Sequence, residues 1–340
     1  MAKHPLITVS ATVNALLVCH AGAGLGLGHL SRALVVAATL RDQLGANVHL
    51  LIQGDSVQRT DLNTFQHQFI EFEVDLLATA RKHIHEHTID VVVFDLHPRY
   101  VPTDMGVFLE DVRHDGVKVI SVDCLVHHQC NLDLVFIPSF RFSPLNELRG
   151  LTPVRFGWDC YLLNVHRAPV PWKPGRKVLT LSGGSDATGL GKTLPTLLHN
   201  TLPAETELHW VTGPYAPQPM WPVTPHFTMV NHQSPAGLDD LMVNMNYAVT
   251  PYGVSFFELL YYGVPTVVFS PYGNKDDAEL SEIAVEGVAL VAKDEVEAVA
   301  MLKSLMADDT LATSLSLQAR RKLSVAGAQT LVQSIAALVV

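Results

Sequence analysis

Apolar residues form short continuous runs along this chain, and these runs alternate with segments of helical periodicity. In the first half, the pattern predicts strands over 14–20, 47–53, 90–95, 117–123 and 133–137, and helices over 29–44, 74–87 and 103–114. Continuous apolar runs are typical of parallel strands that are buried on both faces. The first half is therefore predicted to be a doubly wound α/β domain.

The same alternation returns after a proline-rich segment that has little periodicity. The second half predicts strands over 177–181, 207–212, 227–230, 247–250, 267–269 and 288–291, and helices over 190–200, 238–244, 255–262, 277–286 and from 295 onward. The expected organisation is a first domain over 1–150, a connection over 151–175, a second domain over 176–325, and a final helix over 326–340 that could pack back on the first domain. The expected fold class is α/β, with two doubly wound Rossmann-like domains facing each other across a cleft.

Composition and charge narrow the partners that this chain can have. Of its 340 residues, 23 are Lys or Arg and 33 are Asp or Glu, so the net charge is 23 − 33 = −10. An acidic balance argues against nucleic acid as the main partner. No apolar run is long enough to cross a bilayer, and the amino end lacks a signal-peptide pattern. The four cysteines form no CxxC pair, so we expect a cytoplasmic protein with reduced thiols and at most peripheral membrane contact.

The stretch from 250 to 269 predicts a strand, a glycine turn, a short helix, a glycine stop and another strand. Tyr252 and Gly253 form the turn. Free backbone amides and the positive end of a helix dipole can hold an anion there. Glu258, on the same helix, can accept hydrogen bonds from ribose hydroxyls. This combination can hold a nucleoside diphosphate, and the alternative is an ordinary strand-turn-helix that carries a surface glutamate.

A first glycine-rich turn, over 22–32, lies between the first strand and the first helix. It lacks the G-x-G-x-x-G spacing of dinucleotide-binding proteins, and the second strand ends in Gln53 where an acid would hold the ribose of NAD. NAD binding is therefore not predicted. His29 follows Gly26 and Gly28 and falls in the first turn of the helix. It is a candidate proton acceptor, with a capping or structural histidine as the alternative.

A second glycine turn resembles a nucleoside-triphosphate loop but lacks an essential residue. Gly189-Leu-Gly-Lys-Thr193 ends like a Walker motif, yet Asp186 stands where the motif needs a glycine. A negative side chain at that position would occupy the place of phosphate oxygens. The preceding Gly183, Gly184 and Ser185 remain a plausible cradle for one phosphate or for sugar hydroxyls.

Two further groups of side chains are candidates for chemistry. His83, His85 and His87 resemble metal ligands, but residues two apart on a helix point to different faces, so no metal is predicted there. Asp95 and Asp123 each end an apolar strand. Aspartates at such positions either contribute to a site or cap the following helix.

The segment Gly26-Leu-Gly-His-Leu-Ser-Arg32, together with Gly253, Glu258 and the Gly263-x-Pro265 stop, resembles the GT-B nucleotide-sugar glycosyltransferases, especially the MurG-like superfamily. The order of further motifs is similar to one branch, the PseG-type hydrolases of pseudaminic acid synthesis, which cut UDP from a diacetamido-trideoxy sugar. These motifs are Asp95-Leu-His97, Val122-Asp-Cys124, Asn131-Leu-Asp-Leu-Val135, Gly157-Trp-Asp-Cys-Tyr161, Ser182-Gly-Gly-Ser-Asp186, Asn274-Lys275 and Val325-Ala-Gly-Ala328. The resemblance spans residues 14 to 336.

The resemblance implies a role for each candidate residue. His29 would activate an attacking water or an acceptor hydroxyl, and Asp95 is the second catalytic residue. Glu258 would hold the ribose, the amides of 253–255 the diphosphate, 230–231 the base and 274–275 the sugar. The expected substrate-binding residues are Gly26, Gly28, Arg32, Gly183, Gly184, Ser185, Val230, Asn231, Tyr252, Gly253, Val254, Ser255, Glu258, Asn274 and Lys275.

Departures from the hydrolase pattern favour transfer over hydrolysis. The hydrolases usually carry Arg-x-Asp where this chain has Cys19-His-Ala21, an arginine where it has Asn164, and a glutamine where it has Lys275. We therefore expect an inverting, metal-independent glycosyltransferase of surface-glycan synthesis. Its donor would be a UDP- or CMP-linked sugar, which is a substrate and not a cofactor, and its acceptor a glycan or sugar. The alternatives are a PseG-like hydrolase and a non-catalytic nucleotide-sugar binding protein.

Overall fold

The structure is a computed structural model that describes residues 12–22, 25–141, 153–224, 226–235 and 237–339. The chain divides into two compact units. The first contains Met1–Asn164 and Ala326–Val340, and the second contains Val165–Val325. The chain therefore leaves the first unit, forms the whole of the second, and returns.

The first unit is a parallel sheet with helices on both faces. Among the described residues, its strands are β1 (Asn14–Ala21), β2 (Asn47–Gly54), β3 (Gln66–Ile70), β4 (Val91–Asp95), β5 (Lys118–Val122), β6 (Leu134–Phe136) and β7 (Val154–Arg155). Its helices are α1 (Gly28–Leu44), α2 (Leu76–Glu86), α3 (Met105–His114) and α10 (Gly327–Val339). The strand order is β3-β2-β1-β4-β5-β6-β7, so the winding direction reverses between β1 and β4.

Both faces of this sheet are buried, which explains its continuous apolar runs. In β1, Ala15 and Leu17 face the core that contains α1 and α10, whereas Leu16 and Val18 face the core that contains α2 and α3. Because successive side chains of a strand point to opposite faces, most positions of a central strand are apolar. The pattern predicts these central strands to within about one residue of their observed bounds.

The pattern does not predict the two edge strands of this sheet. β3 has the sequence Gln-His-Gln-Phe-Ile, and its first three residues are exposed. β7 is only two residues long and pairs with β6 through Val154 and Val135. One side of an edge strand is exposed to water, and these two strands are short. Their sequences therefore contain no continuous apolar run. As a result, residues 153–164, which fall in the predicted connection, belong to the first unit.

Helix α10 packs against α1 and completes the first unit. At its start, the Gly327 N–H donates to the Tyr161 carbonyl oxygen at 2.8 Å. A Cβ at Gly327 would lie 2.2 Å from the carbonyl carbon of Cys160 and 2.4 Å from its oxygen. Backbone atoms cannot swing aside as a flexible side chain can, so only glycine allows this close approach.

Replacing Gly327 with alanine is expected to lower the free energy of unfolding of the first unit by about 2 kcal/mol, because the added methyl forces α10 away from Cys160. Urea unfolding followed by circular dichroism measures the change. Gly237→Ala is the matched control, because no described atom lies within 4 Å of a Cβ at that position. Equal midpoints for both variants would mean that α10 does not depend on this approach.

The second unit is built in the same way. Among the described residues, its strands are β8 (Lys177–Leu181), β9 (Glu207–Thr212), β10 (Thr228–Gln233), β11 (Tyr247–Pro251), β12 (Thr266–Phe269) and β13 (Leu290–Ala292). Its helices are α4 (Leu190–Thr201), α5 (Asp239–Met242), α6 (Val254–Tyr262), α7 (Asp277–Glu286), α8 (Glu295–Leu305) and α9 (Asp309–Lys322). The parallel strands follow the order β10-β9-β8-β11-β12-β13, with the reversal between β8 and β11.

One apolar stretch of the described residues, Asp309–Val339, is long enough to cross a membrane and contains a window of 18 residues as apolar as a membrane-spanning helix. The stretch is not one helix. Residues 323–326 are non-helical and separate the 14 residues of α9 from the 13 residues of α10. A helix needs about 20 residues to cross a bilayer, so neither is long enough alone.

Candidate functional site

The reversal of winding in the first unit brings two separate parts of the chain together. β1 and β4 are neighbours, and Cys19 pairs with Asp95. Because the connections after these strands run to opposite sides of the sheet, a crevice opens at their carboxyl ends. The glycine turn after β1 leads into α1, so the first turn of α1 lies beside the end of β4. This is why His29 and Asp95, 66 residues apart, are in contact.

His29, Arg32 and Asp95 form a compact hydrogen-bonded group. His29 Nδ1 lies 2.7 Å from Asp95 Oδ1. Arg32 donates from Nη2 to Oδ1 at 2.6 Å and from Nε to Oδ2 at 2.8 Å. A two-pronged arginine–carboxylate pair is rigid, because two parallel hydrogen bonds fix both side chains. The side chain of Asp95 is 5% exposed and that of Arg32 15%, so the group is shielded from water.

The contact between His29 and Asp95 fixes the tautomer of the imidazole. His29 Nδ1 also lies 3.1 Å from Arg32 Nη2, but the shorter 2.7 Å contact with Asp95 Oδ1 brings two acceptor atoms together unless Nδ1 carries the proton. His29 Nδ1 is therefore assigned as the donor to Asp95, whose oxygens also accept from Arg32. The lone pair is then on Nε2. The imidazole is 16% exposed, which leaves it accessible to a small nucleophile. A carboxylate that orients a histidine in this way also stabilises the imidazolium that forms when Nε2 takes a proton. The arrangement suits a general base.

A second carboxylate lies near this group. Asp123 Oδ2 is 3.7 Å from Arg32 Nη1, and its side chain is 51% exposed. Its backbone has a φ of 58° at the end of β5, a left-handed conformation that aspartate tolerates better than most residues. Asp123 therefore neutralises the outer side of Arg32.

Sequence reasoning missed a group of packed ring side chains near His29, which consists of His20, Phe72, His97 and Tyr100. The rings of His29 and His97 are 6.1 Å apart between centroids. His20 is fully buried at the end of β1, and its Nδ1 accepts a hydrogen bond from the His97 backbone N–H at 2.9 Å. Burial and repulsion from His29 lower the pKa of His20 to about 4, so this imidazole is neutral. Phe72 and Tyr100 pack 4.5 Å apart, and Tyr100 lies edge-on to His20. The sequence signal that could have revealed this group of rings is the pair of histidines near two strand ends, His20 in β1 and His97 just after β4.

In the second unit, the turn after β11 leads directly into α6. Gly253 is the N-cap of this helix and has no side chain with which to cap it. The first amides of a helix point out of its end, so those of Val254 and Ser255 are presented at the carboxyl edge of the sheet. Val254 is 42% exposed. Tyr252 precedes the cap, and its N–H donates to Phe269 of the neighbouring strand. The turn therefore has the form of an anion-binding helix end.

Glu258 lies on the fifth residue of α6 and is only 8% exposed. The alternative of a surface glutamate is therefore wrong. A carboxylate this buried must be stabilised by polar partners or by an opposite charge. Glu258 lies midway along α6, and its neighbours in the chain, Phe257 and Leu259, are also buried.

The glycine turn after β8 lies on the other side of the reversal point. Gly183 has a φ of 87°. A Cβ at Gly213, beyond the end of β9, would lie 2.4 Å from the Gly183 carbonyl oxygen and 2.5 Å from that of Gly184. The turn is thus packed tightly against the neighbouring strand end. Gly184 is open on the side where a side chain would lie, because no described atom lies within 4 Å of a Cβ there, and its carbonyl accepts from the Tyr215 N–H.

Asp186 shows why the Walker-like sequence is not a triphosphate loop. Its carboxylate accepts hydrogen bonds from the N–H groups of Leu190, at 2.7 Å, and Gly191, at 2.9 Å. The side chain itself occupies the amino end of α4, the place that phosphate would take. Asp186 is 6% exposed, and its carboxylate caps the first amides of α4.

The four remaining predicted residues lie on two separate elements of the second unit. Val230 pairs with His209, which pairs with Leu179, two residues before β8 ends. Val230 and Asn231 therefore lie inside β10 and not at its carboxyl end. Asn274 and Lys275 are exposed on a short 3-10 helix that follows β12, the neighbour of β11. This helix lies at the same edge as the start of α6.

Comparisons with known proteins place this chain by its fold. No protein-family model matches the sequence, and no curated protein matches it. MurG of Acinetobacter baumannii is 17% identical, with a TM-score of 0.64 over 95% of this chain and 99% of that chain. UGT2 of Phytolacca americana, complexed with UDP-2-fluoro-glucose and pterostilbene, is 13% identical, with a TM-score of 0.62 over 96% and 99%.

A candidate UDP-N-acetylglucosamine 2-epimerase of Listeria monocytogenes is 12% identical, with a TM-score of 0.59 over 96% of each chain. These similarities confirm that the two units have the GT-B fold. At such low identity the likeness establishes the fold alone. The greater closeness to PseG-type hydrolases remains a prediction.

Proposed function

We propose that this protein is a cytoplasmic, inverting, metal-independent glycosyltransferase that uses a nucleotide-sugar donor in surface-glycan synthesis. The observation that supports this most directly is the His29–Asp95 contact at the reversal point of the first sheet. Asp95 directs the lone pair to Nε2 of an accessible imidazole. A base of this kind removes the proton of an acceptor hydroxyl as its oxygen attacks the anomeric carbon, and a single displacement inverts that carbon.

The second unit supports the donor half of this proposal. Bond cleavage transfers charge to the diphosphate leaving group, and the amides at the start of α6 would stabilise that charge. Glu258 would accept hydrogen bonds from the ribose hydroxyls. The turn at Gly183 and Gly184, on the other side of the reversal point, would contact the remaining phosphate or the sugar. Fixed dipoles supply this stabilisation without a metal ion.

Hydrolysis is the second candidate, because the same dyad could activate water. The order of motifs shared with the PseG-type hydrolases favours it. The rings of Phe72 and Tyr100, close to His20 and His97, favour transfer instead. Aromatic walls with a few polar groups are typical of pockets that bind a ring-shaped organic ligand, and water needs no such surface.

Nucleotide binding gives the first test. Of UDP, CMP, GDP and dTDP, we expect UDP or CMP to raise the melting temperature most, by about 5–10 °C at a hundredfold excess over Kd. Glu258→Gln is expected to reduce this shift, since the amide nitrogen cannot accept the ribose hydrogen bonds. Differential scanning fluorimetry measures both. If none of the four nucleotides shifts the melting temperature, the donor proposal is wrong.

Turnover of a panel of UDP- and CMP-sugars, with and without glycan acceptors, then separates the candidates. Transfer predicts an acceptor-dependent product whose anomeric configuration, read by NMR coupling constants, is opposite to that of the donor. Release of free sugar at full rate without acceptor would establish the hydrolase. Nucleotide binding without any turnover would establish the non-catalytic binding protein.

A further inference from the structure

Three histidines come together at the amino-terminal edge of the first sheet, far from His29. His49 is the third residue of β2 and pairs with Leu16 of β1. Asp95 pairs with Cys19, three residues further along β1, so the two levels are separated by about 10 Å along the strands. The neighbours of His49 in the strand, Val48 and Leu50, face the core on the other side of the sheet, which directs the imidazole toward α2.

Helix α2 presents two more histidines to this position. Its buried residues include Leu76 and Ala80, and helical periodicity continues this stripe through positions 83 and 87. His83 is in the last turn of α2, and His87 is its C-cap. Because they are four residues apart, they lie on the same face of the helix. The expectation that no metal binds here rested on the spacing of two to His85, which is exposed, and did not take account of the spacing of four between His83 and His87.

The three side chains are close enough to share an ion. Among the residues that the structure describes, His49, His83 and His87 are a group whose ligand nitrogens all lie within 4.8 Å of one another. The rings of His49 and His87 are 4.0 Å apart between centroids, and those of His83 and His87 are 5.4 Å apart. His49 is 9% exposed. The cluster is thus fixed on one side by the strand and on the other by the helix end.

Gln68 holds the ring of His83 through its far nitrogen. The distance from His83 Nε2 to Gln68 Oε1 is 2.7 Å. A carboxamide oxygen only accepts, so Nε2 carries the proton and the lone pair is on Nδ1. That Nδ1 is buried and has no hydrogen-bond partner among the described residues. Histidines that ligate metals are usually oriented in this way, by an acceptor on the ring nitrogen that does not bind the ion.

We propose that His49, His83 and His87 bind a divalent transition-metal ion of the zinc class. Three neutral imidazoles are a donor set that zinc accepts, with water as the fourth ligand, whereas calcium and magnesium require oxygen. Tetrahedral zinc places its nitrogen ligands about 3.3 Å apart. Rotation of the rings out of their stacked arrangement brings the nitrogens from within 4.8 Å to this spacing.

An ion at this position would join strand β2 to the carboxyl end of α2. Both His49 and His87 also line an open groove at this edge of the sheet, together with Asn47 and Phe65, so an ion can reach the cluster from solvent. The cluster lies at the edge opposite to His29, and the ion therefore has a stabilising role and takes no part in turnover.

Metal binding by the full-length protein tests this proposal. After treatment with EDTA and dialysis, the protein is titrated with Zn²⁺ by calorimetry and with Co²⁺, whose visible absorption reports the coordination geometry. We expect one zinc ion per chain and a rise in melting temperature of about 5 °C at a hundredfold excess over Kd. His83→Gln and His87→Asn are expected to weaken the affinity at least 10-fold.

Two control variants make the result specific. His85→Gln changes an exposed histidine on the same helix and should retain the affinity of the unmodified protein. His29→Ala should also retain it, so loss of turnover and loss of metal binding are separable. Melting temperatures in EDTA establish that each variant is folded. Absence of stoichiometric binding, or an equal loss of affinity in His85→Gln and His83→Gln, would overturn the proposal.

Discussion

Replacement of His29 by alanine is expected to lower the rate of sugar transfer about 100- to 10,000-fold, because it removes the only nitrogen that Asp95 orients toward an acceptor. Since His29 is accessible and not part of either core, the variant should fold normally. The effect should appear in kcat, and the nucleotide-induced shift in melting temperature should not change. Initial rates with the donor and acceptor identified by the binding panel measure the loss.

The matched control for this variant is His67→Ala, which removes an exposed imidazole from the edge strand β3 of the same unit. It should leave the rate unchanged. If His29→Ala retains the rate of the unmodified protein, the base is a different residue or the chain is not an enzyme that works through this dyad. Under either explanation, the proposed function would lose its main support.

The second large effect is expected for Asp95→Asn, which acts on both activity and stability. The amide keeps the shape of the carboxylate but removes the counter-charge closest to the largely buried guanidinium of Arg32, which then has only the half-exposed Asp123 at 3.7 Å. Loss of one partner of a buried ion pair costs about 2–4 kcal/mol of folding free energy. The amide can also donate to His29 Nδ1, which reverses the tautomer and takes the lone pair away from Nε2. A rate loss of about 100-fold or more follows from this.

A double variant separates these two effects. If Asp95 acts on catalysis only through His29, Asp95→Asn will lower the rate of the unmodified enzyme but not the residual rate of His29→Ala. The loss of stability, which depends on Arg32, will be the same in both backgrounds. Urea unfolding and initial rates on the four proteins complete the cycle. Independent, multiplicative rate losses would show that Asp95 contacts the substrate itself.

The central architecture could be predicted because burial on both faces leaves a direct trace in the sequence. The apolar runs at 14–20 and 247–250 correspond to β1 and β11, which lie in the middle of their sheets. Edge strands such as β3 leave no such trace, because one side of each is exposed to water. The glycines at 45, 263 and 287 end helices in left-handed conformations, as glycine stops in a sequence indicate.

The positions of candidate site residues on helices and turns could be predicted where one local segment carries the signal, whereas their roles stay predictions. His29 and the turn at Gly253 each lie at the start of a helix, and the sequence shows that directly. The bidentate pairing of Arg32 with Asp95 and the group of packed ring side chains that includes Tyr100 depend on contacts between distant segments. No spacing along the chain encodes such contacts. They follow only when the order of parallel strands is known, because that order decides which strand ends are neighbours.

The path of the chain has a consequence for synthesis. The second unit is one continuous segment, whereas the part of the first core that lies between α1 and α10 is covered only when α10 is added. During translation, residues 165–325 can therefore complete their core while the first unit, although synthesised earlier, still exposes a hydrophobic surface. Chaperones and aggregation would act on that surface until residues 326–339 leave the ribosome. The part of the protein that is made first is thus the part that matures last.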